Sequence, residues 1–300
     1  MNQFRVGLSG QIVNSRYSPT ALARADMLTA MASGIDSYWV ADHLNALFPR
    51  SIVTPKYLGV VRLAPKIDAQ LEPWMMLGYL ASRNRFGRSQ LGIGVTDAGR
   101  RHPAVTAQAA ATLQLITRGH AILGIGVGMR VGNEPYGVDW TKPVARFEEA
   151  VATIRALWKS GGELVSRESA YFLCITRYLT YRRTTALGPR SGSLLRDPGC
   201  CEPPGATPMP GSPGMLSRPG DYASGLEAVR TAASNAERNP VSIAPALSIP
   251  VATGRSRDDV EETLNSQAAK ARLRSACPAK CGPTMAFSIR LDATSPVPRT

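Results

Sequence analysis

Asp42 and His43 stand side by side at the end of a β-branched and aromatic run, SYWVADH (37–43). Two titratable groups placed directly after a buried strand are costly unless they bond or act. An imidazole there suits proton transfer near neutral pH, and the bland alternative is that the pair caps the strand end. Glu134 follows a glycine loop and reads either as a general acid or as a loop hydrogen-bonder. His102 precedes Pro103, where it either acts or orients a helix start, whereas His120 begins a strand at the opposite edge and reads as structural. The glycines of GVGMRVG (126–132) look like a phosphate cradle, but NEPYGVDWTKP separates them from the next helix. A dinucleotide site needs that helix at once, so these glycines read better as letting the backbone pass close to a flat ligand.

The elements that must position these residues repeat as strand, helix, strand, helix. FRVGLSG (4–10), SYWVADH (37–43), SQLGIGVTD (89–97) and HAILGIGVG (120–128) are short apolar runs that suit buried parallel strands. The first helix is predicted to start at Ser18-Pro19, to bury Leu22, Ala25, Leu28 and Ala32, and to stop at Gly34. A second runs from about Pro73 to Asn84, and a third opens at His102-Pro103 and is carried by Leu113, Leu115 and Ile116. In the fourth, RFEEAVATIRALW (146–158), Phe147, Ala150, Val151, Ile154, Leu157 and Trp158 share one face. LGIGV recurs at 91–95 and 123–127, an internal repeat that marks two equivalent units. Four such units fill half of an eight-fold barrel, and chemistry in parallel α/β folds gathers at the carboxyl ends of the strands. Those ends are Ser9-Gly10, Asp42-His43, Thr96-Asp97 with Arg100-Arg101-His102, and Gly126-Val127-Gly128 with Asn133-Glu134.

The second half is less regular. Residues 218–240 read as a helix, VSIAPALSIPVATG (241–254) as strand-like, and SRDDVEETLNSQAAKARL as a helix capped by Ser256. No period holds over 170–217, which contains RDPGCCEPPGATPMPGSPG (196–214).

Composition excludes several classes. With 44% apolar and 19% charged residues the chain is globular, and no stretch reaches the apolar length of a membrane span. The opening MNQFRVGLSG has neither a basic nor an apolar signal region, so a cytoplasmic location is expected. The net charge of +13 is spread along the chain without a Lys/Arg run longer than a pair, which argues against nucleic acid and suits a polyanionic cofactor. All five cysteines follow residue 170: Cys174, Cys200, Cys201, Cys277 and Cys281. Their odd number and spacing fit neither a disulfide framework nor a zinc site, so no metal is expected.

Taken together, YWVADH, LGIGVTDAGRRHPAVTAQAAATL, ILGIGVGMRVGNEPYG, RFEEAVATIRALW, RPGDYASGLEAVRTAASNAERNPVSI and TGRSRDDVEETL resemble the bacterial-luciferase-like superfamily, in its coenzyme F-420-dependent branch. The resemblance covers roughly 1–169 and 218–275. It implies a luciferase-like (β/α)8 TIM barrel that binds reduced deazaflavin and passes a hydride to the keto group of a very hydrophobic lipid. It further implies that Asp42 and His43 lie at the deazaflavin ring, that Gly94, Val95 and Thr96 form a bulged strand end behind it, and that Gly126 and Gly128 belong to the phosphate-side loop. Met129 stands where several relatives carry an acid, which leaves the proton donor to be chosen on chemistry. Unperturbed His lies close to pH 7 and Glu misses it by about 2 to 3 units, so His43 ranks first and Glu134 second. The expected partner is a lipid ketone, with at most transient membrane-surface contact, and a homodimer is compatible. The alternatives are an FMN-dependent luciferase-like monooxygenase, or a product that binds no cofactor.

The resemblance stops near Ser169, returns near Arg218 and stops again near Ser275. Loops do not diverge in that way, whereas a shifted reading frame produces abrupt loss and recovery. Back-translating 170–214 and 280–290 and reading from the third base of each codon allows family-like sequence in both places. The barrel is therefore expected as one domain over 1–300: units one to four intact over 1–169, aberrant sequence over 170–217, later units over 218–275 and an aberrant tail over 276–300. The second half is expected to be disrupted and the chain to be unstable or inactive.

Overall fold

The structure, a computed structural model, describes residues 5–46, 50, 53–55, 58–84, 89–177, 219–235, 237, 239–246, 251–266 and 269. Four short strands, β1 (Gly7–Gly10), β2 (Ser37–Val40), β3 (Gln90–Asp97) and β4 (Ala121–Gly126), pair in parallel and in chain order. Their register runs Leu8 to Tyr38, Tyr38 to Leu91 and Leu91 to Ala121. The crossovers are α1 (Ala21–Ala32), α2 (Pro73–Ala81) and α3 (Pro103–Ile116), and after β4 come the single turn α4 (Arg130–Asn133) and the long helix α5 (Pro143–Lys159). This is the first half of a (β/α)8 barrel.

One core joins the sheet to its helices. Tyr38, Val40, Leu91, Ile93 and Leu123 project from the strands against Met27, Ala30, Leu77, Leu80, Ala107, Ala110, Phe147 and Ile154, all buried. Each large apolar side chain so removed from water contributes about 1.5 to 3 kcal/mol, which is why near-continuous apolar runs become strands here. Helix α1 differs from expectation at both its start and its face. It begins at Ala21 with Thr20 as N-cap, one turn past Ser18, whose amide is held by the Ser15 hydroxyl. Ala23, Met27 and Ala30 face the core, while Leu28 is 59% exposed. The small side chains at 23 and 30 let the helix approach the sheet. In α3, Leu113 is buried with Ala107, Ala110 and Ala111, but Ile116 points outward.

After α5 the chain makes an antiparallel hairpin, β5 (Val165–Arg167) with β6 (Cys174–Arg177). Glu149 of α5 tethers it, its Oε1 accepting the amides of Tyr171 and Phe172 at 2.9 Å each, and Phe172 and Cys174 enter the core. Residues 170–177, aperiodic by sequence, are thus ordered by contact with α5. The remaining residues to 218, with Cys200 and Cys201, lie outside the described residues, as do the tail after 269 and Cys277 and Cys281.

Helix α6 (Pro219–Asn235) forms where the sequence places it, and α7 (Arg257–Asn265) starts as expected, the Ser256 hydroxyl accepting the Asp259 amide at 3.1 Å, but it stops at an extended Ser266, well short of the helix read through SQAAKARL. The strand expected over 241–254 does not form among its described residues, which begin as a single 3-10 turn at Pro240–Ser242. A strand persists only where a neighbour takes its hydrogen bonds, and no described strand lies beside it. Among the described residues, no strand pairs with the outer edge of β1 or of β4. No helix of the described residues is long and apolar enough to cross a membrane.

Candidate functional site

The carboxyl ends of β2 and β3 are tied by charge. Asp42 turns its carboxylate inward, where it is 3% exposed, and three donors meet it. Thr96 Oγ1 donates to Oδ2 at 2.7 Å, Arg101 Nη1 reaches the same oxygen at 2.5 Å, and Arg100 Nη1 lies 3.1 Å from Oδ1. Arg100 Nη2 also donates to the main-chain carbonyl of Asp42 at 2.8 Å. Arg101 extends the chain of charges outward, its Nη2 lying 2.6 Å from Glu72 Oε1, while the other oxygen of Glu72 caps α2 through the Met75 amide at 2.7 Å. A buried carboxylate without such partners would be expensive, so Asp42 bonds rather than presents itself.

His43 does the opposite. One residue further along, its side chain is exposed at the strand mouth. Desolvation holds the imidazole below its ordinary range, the positive charge of Arg100 lowers it further, and Asp42 offsets part of this. The ring is therefore a poised proton carrier biased toward its neutral form.

On β3, pairing with β4 shifts register between Ile93 and Thr96, and the Gly94–Val95 peptide inside that bulge is cis. Gly94 and Val95 are half-buried there, whereas Thr96 is fully buried with its hydroxyl spent on Asp42. Asp97 turns to the other side, accepting the Gly99 amide at 2.7 Å and a hydrogen bond from the Asn133 side chain. Burial raises its pKa, against the lowering effect of those two donors.

The glycines expected to line a ligand have an internal reason instead. A Cβ on Gly128, whose φ is 84°, would coincide with the Asp97 carboxylate, and one on Gly126 would press on Val95 Cγ2 at 3.2 Å. They make room for β3 side chains, a packing reason for glycine that holds with or without a ligand. Glu134, second in rank as proton donor, is paired elsewhere. It lies exposed in a bidentate pair with Arg130, whose Nη2 is 2.9 Å from its Oε1, and that pairing lowers its pKa, which holds it as a carboxylate. A group so held is a poor proton donor near neutral pH.

His102 caps α3, its Nδ1 accepting the Ala104 amide at 3.2 Å, and His120 Nδ1 lies 3.0 Å from the Thr117 carbonyl, so both are structural. The structure thus gathers Asp42, His43 and Thr96 at one strand mouth with the Gly94–Val95 bulge alongside. It leaves Glu134 outside the cluster. Sequence reasoning placed Arg100, Arg101 and Asn133 at the strand ends but gave them no role, and it did not single out Glu72. The first two were visible as a basic pair after the third strand, but nothing local says that they answer Asp42.

Parallel βα units with a charged cluster and a bulge at their carboxyl ends form the half-barrel on which the comparisons with known proteins bear. The family model of the luciferase-like monooxygenases matches residues 9–189, and the chain belongs to that family. Within it, the chain is 59% identical over 257 residues to the phthiodiolone/phenolphthiodiolone dimycocerosates ketoreductase of Mycobacterium kansasii, a match that covers 85% of this chain and 70% of that protein. Two solved structures share the fold. One is an "F420-dependent secondary alcohol dehydrogenase in complex with an F420-acetone adduct", with a TM-score of 0.60, 17% identity and coverage of 80% and 67% of the two chains. The other is a riboflavin lyase with modified FMN and riboflavin, with a TM-score of 0.58, 15% identity and coverage of 87% and 65%.

Proposed function

We propose that the chain is the scaffold of a lipid ketoreductase, which reduces the keto group of phthiodiolone and phenolphthiodiolone dimycocerosates with a hydride from reduced coenzyme F-420. The observation that carries the reaction is the 59% identity to a ketoreductase of that name across 85% of the chain. Fold likeness alone does not choose the cofactor, since one neighbour was solved with an F420 adduct and the other with modified FMN. Sequence resemblance to the F-420-dependent branch favours deazaflavin. The proposed setting is the cytoplasm, with at most transient contact at a membrane surface.

The residues present suit the ring of a deazaflavin better than its anionic tail. His43 is exposed and the Gly94–Val95 peptide half-exposed at the same mouth, so these would face the ring. The nearby cations are committed, Arg100 and Arg101 to Asp42 and Arg130 to Glu134. When bound, the coenzyme supplies the hydride. His43 would hold the proton for the ketone oxygen in its imidazolium form, the minor form near neutral pH because its pKa is lowered, and would be left as neutral imidazole, so turnover should rise as pH falls toward that pKa. Asp42 and Thr96 keep the strand end in place and do not touch the substrate.

Mixing the expressed chain with reduced F-420 and the lipid ketone, and following deazaflavin absorbance and alcohol formation, tests this reading. His43→Asn should abolish turnover while deazaflavin binding persists. Undiminished turnover removes His43, and oxidation of FMN in place of deazaflavin removes the cofactor assignment. We infer further that this copy is frame-disrupted over 170–217 and 276–300, which its coding DNA would refute if no one-register offset gives an open, barrel-compatible reading.

A further inference from the structure

Arg100 is the least explained charge near the mouth. Its side chain is only 11% exposed, and its Nε has no hydrogen-bond partner among the described residues. Burying a guanidinium is costly, so its placement needs a return. Its two remaining nitrogens both reach a single residue. One meets the Asp42 carboxylate at 3.1 Å and the other the Asp42 carbonyl at 2.8 Å, so the fork closes on side chain and main chain together. The carbonyl it holds belongs to the peptide that links Asp42 to His43. Arg101, by contrast, touches only side chains, those of Asp42, Thr96 and Glu72.

The geometry points to Arg100 as a positioning residue for His43: its fork on Asp42 fixes the peptide from which the imidazole projects, without touching the reacting atoms. A lysine can replace the charge but not the two-armed geometry, because an ammonium is a point charge on a flexible stem. The charged neighbours that bear on the ring are Arg100 from the β3–α3 loop and Asp42 from the end of β2, and they act on it in opposite senses. Losing Arg100 removes the repulsive cation and leaves Asp42 to attract the imidazolium. The catalytic side of this inference rests on the proposed role of His43, whereas the positional side does not.

The test uses the full chain, with Arg100→Lys and Arg100→Met beside the parent. Backbone amide exchange is followed over residues 37–46, together with the C2-proton titration of His43, which is one of three histidines. Exchange around His43 should accelerate by about tenfold or more in both variants while Tyr38 to Val40 change by less than about twofold. The His43 midpoint should rise in Arg100→Met. Equal acceleration throughout β2 means that Arg100 only stabilises the fold, and unchanged exchange around His43 means that the fork holds nothing; either result overturns the proposal. Should both variants fail to fold, Arg100→Gln, which keeps a hydrogen-bonding arm without the charge, takes their place and is judged on the same exchange and midpoint criteria. With deazaflavin and ketone present, Arg100→Lys should lower kcat by about tenfold with KM nearly unchanged. If neither the parent nor a chain rebuilt in the shifted frame shows turnover, the ketoreductase reading fails, and exchange and titration still judge the positioning role.

Discussion

Arg101 Nη1 and Asp42 Oδ2 lie 2.5 Å apart although 59 residues separate them in sequence, and this contact joins the ends of β2 and β3. Asp42 is almost wholly buried and its carboxylate answers two guanidinium groups and one hydroxyl. Removing the shared anion leaves the deeply placed Arg100 without a carboxylate and Arg101 with Glu72 alone. Asp42→Ala should therefore cost about 3 to 5 kcal/mol, the range found when one partner of a buried pair is deleted. Urea unfolding measures it, and a loss below about 1 kcal/mol would show that the cluster is solvated.

The Asp97 carboxylate occupies the place where Gly128 would carry a Cβ, and Asn133 holds the same carboxylate from the other side. Gly128→Ala must bear a left-handed backbone and also displace Asp97. Gly137 offers the control, with φ 73° and open space around it. Gly137→Ala should cost about 1 to 2 kcal/mol for the backbone alone, and Gly128→Ala clearly more. Parallel denaturation curves compare the two, and equal costs would mean that Asp97 yields freely.

The sequence reading located β1 to β4 and α2, α3 and α5 because parallel strands buried on both faces are continuous apolar runs and their helices carry one apolar stripe. It misjudged α1, where Leu22, Ala25 and Leu28 look as apolar as the Ala23, Met27 and Ala30 that face the sheet, so composition gives no contrast. The 241–254 stretch is apolar enough for a strand, but a strand is a property of two segments and only one was visible. Within the site, Asp42-His43 stood out locally, but its division of labour did not. Which of the two turns inward depends on Thr96, Arg100 and Arg101, 54 to 59 positions away. Glu134 was chosen by type, and only its neighbour one helical turn earlier, Arg130, shows that it stays ionised.

Stability should carry the signature of His43. Its pKa is lowered in the folded chain, so the folded state binds fewer protons than the unfolded one between the lowered value and the ordinary value of about 6.5. The contribution is present above the unfolded pKa and is lost as pH falls toward the folded one. Asp97 works in the opposite sense, its raised pKa stabilising at low pH and losing that contribution as pH rises through it. Melting temperatures from pH 7 downward should fall in the parent, and fall less in His43→Asn. An identical slope in both would show that the imidazole is not perturbed.

The outer edges of β1 and β4 have no strand partner among the described residues, although the buried β4 carries the apolar sequence of an interior strand. Unpaired backbone at such edges, together with apolar surface meant for neighbouring strands, costs more than a typical domain can spare from about 5 to 15 kcal/mol of stability. The segments expected to supply those strands are 170–217 and 276–300, proposed above to be frame-disrupted, although the family model runs on to residue 189. A chain rebuilt with both segments read in the shifted frame should melt cooperatively, at a higher temperature than the present chain, and bind deazaflavin more tightly. Calorimetry of the two chains with and without F-420 compares them. A cooperative melt and tight deazaflavin binding by the present chain, unimproved by the rebuilt segments, would show that four βα units with their own flanking sequence suffice.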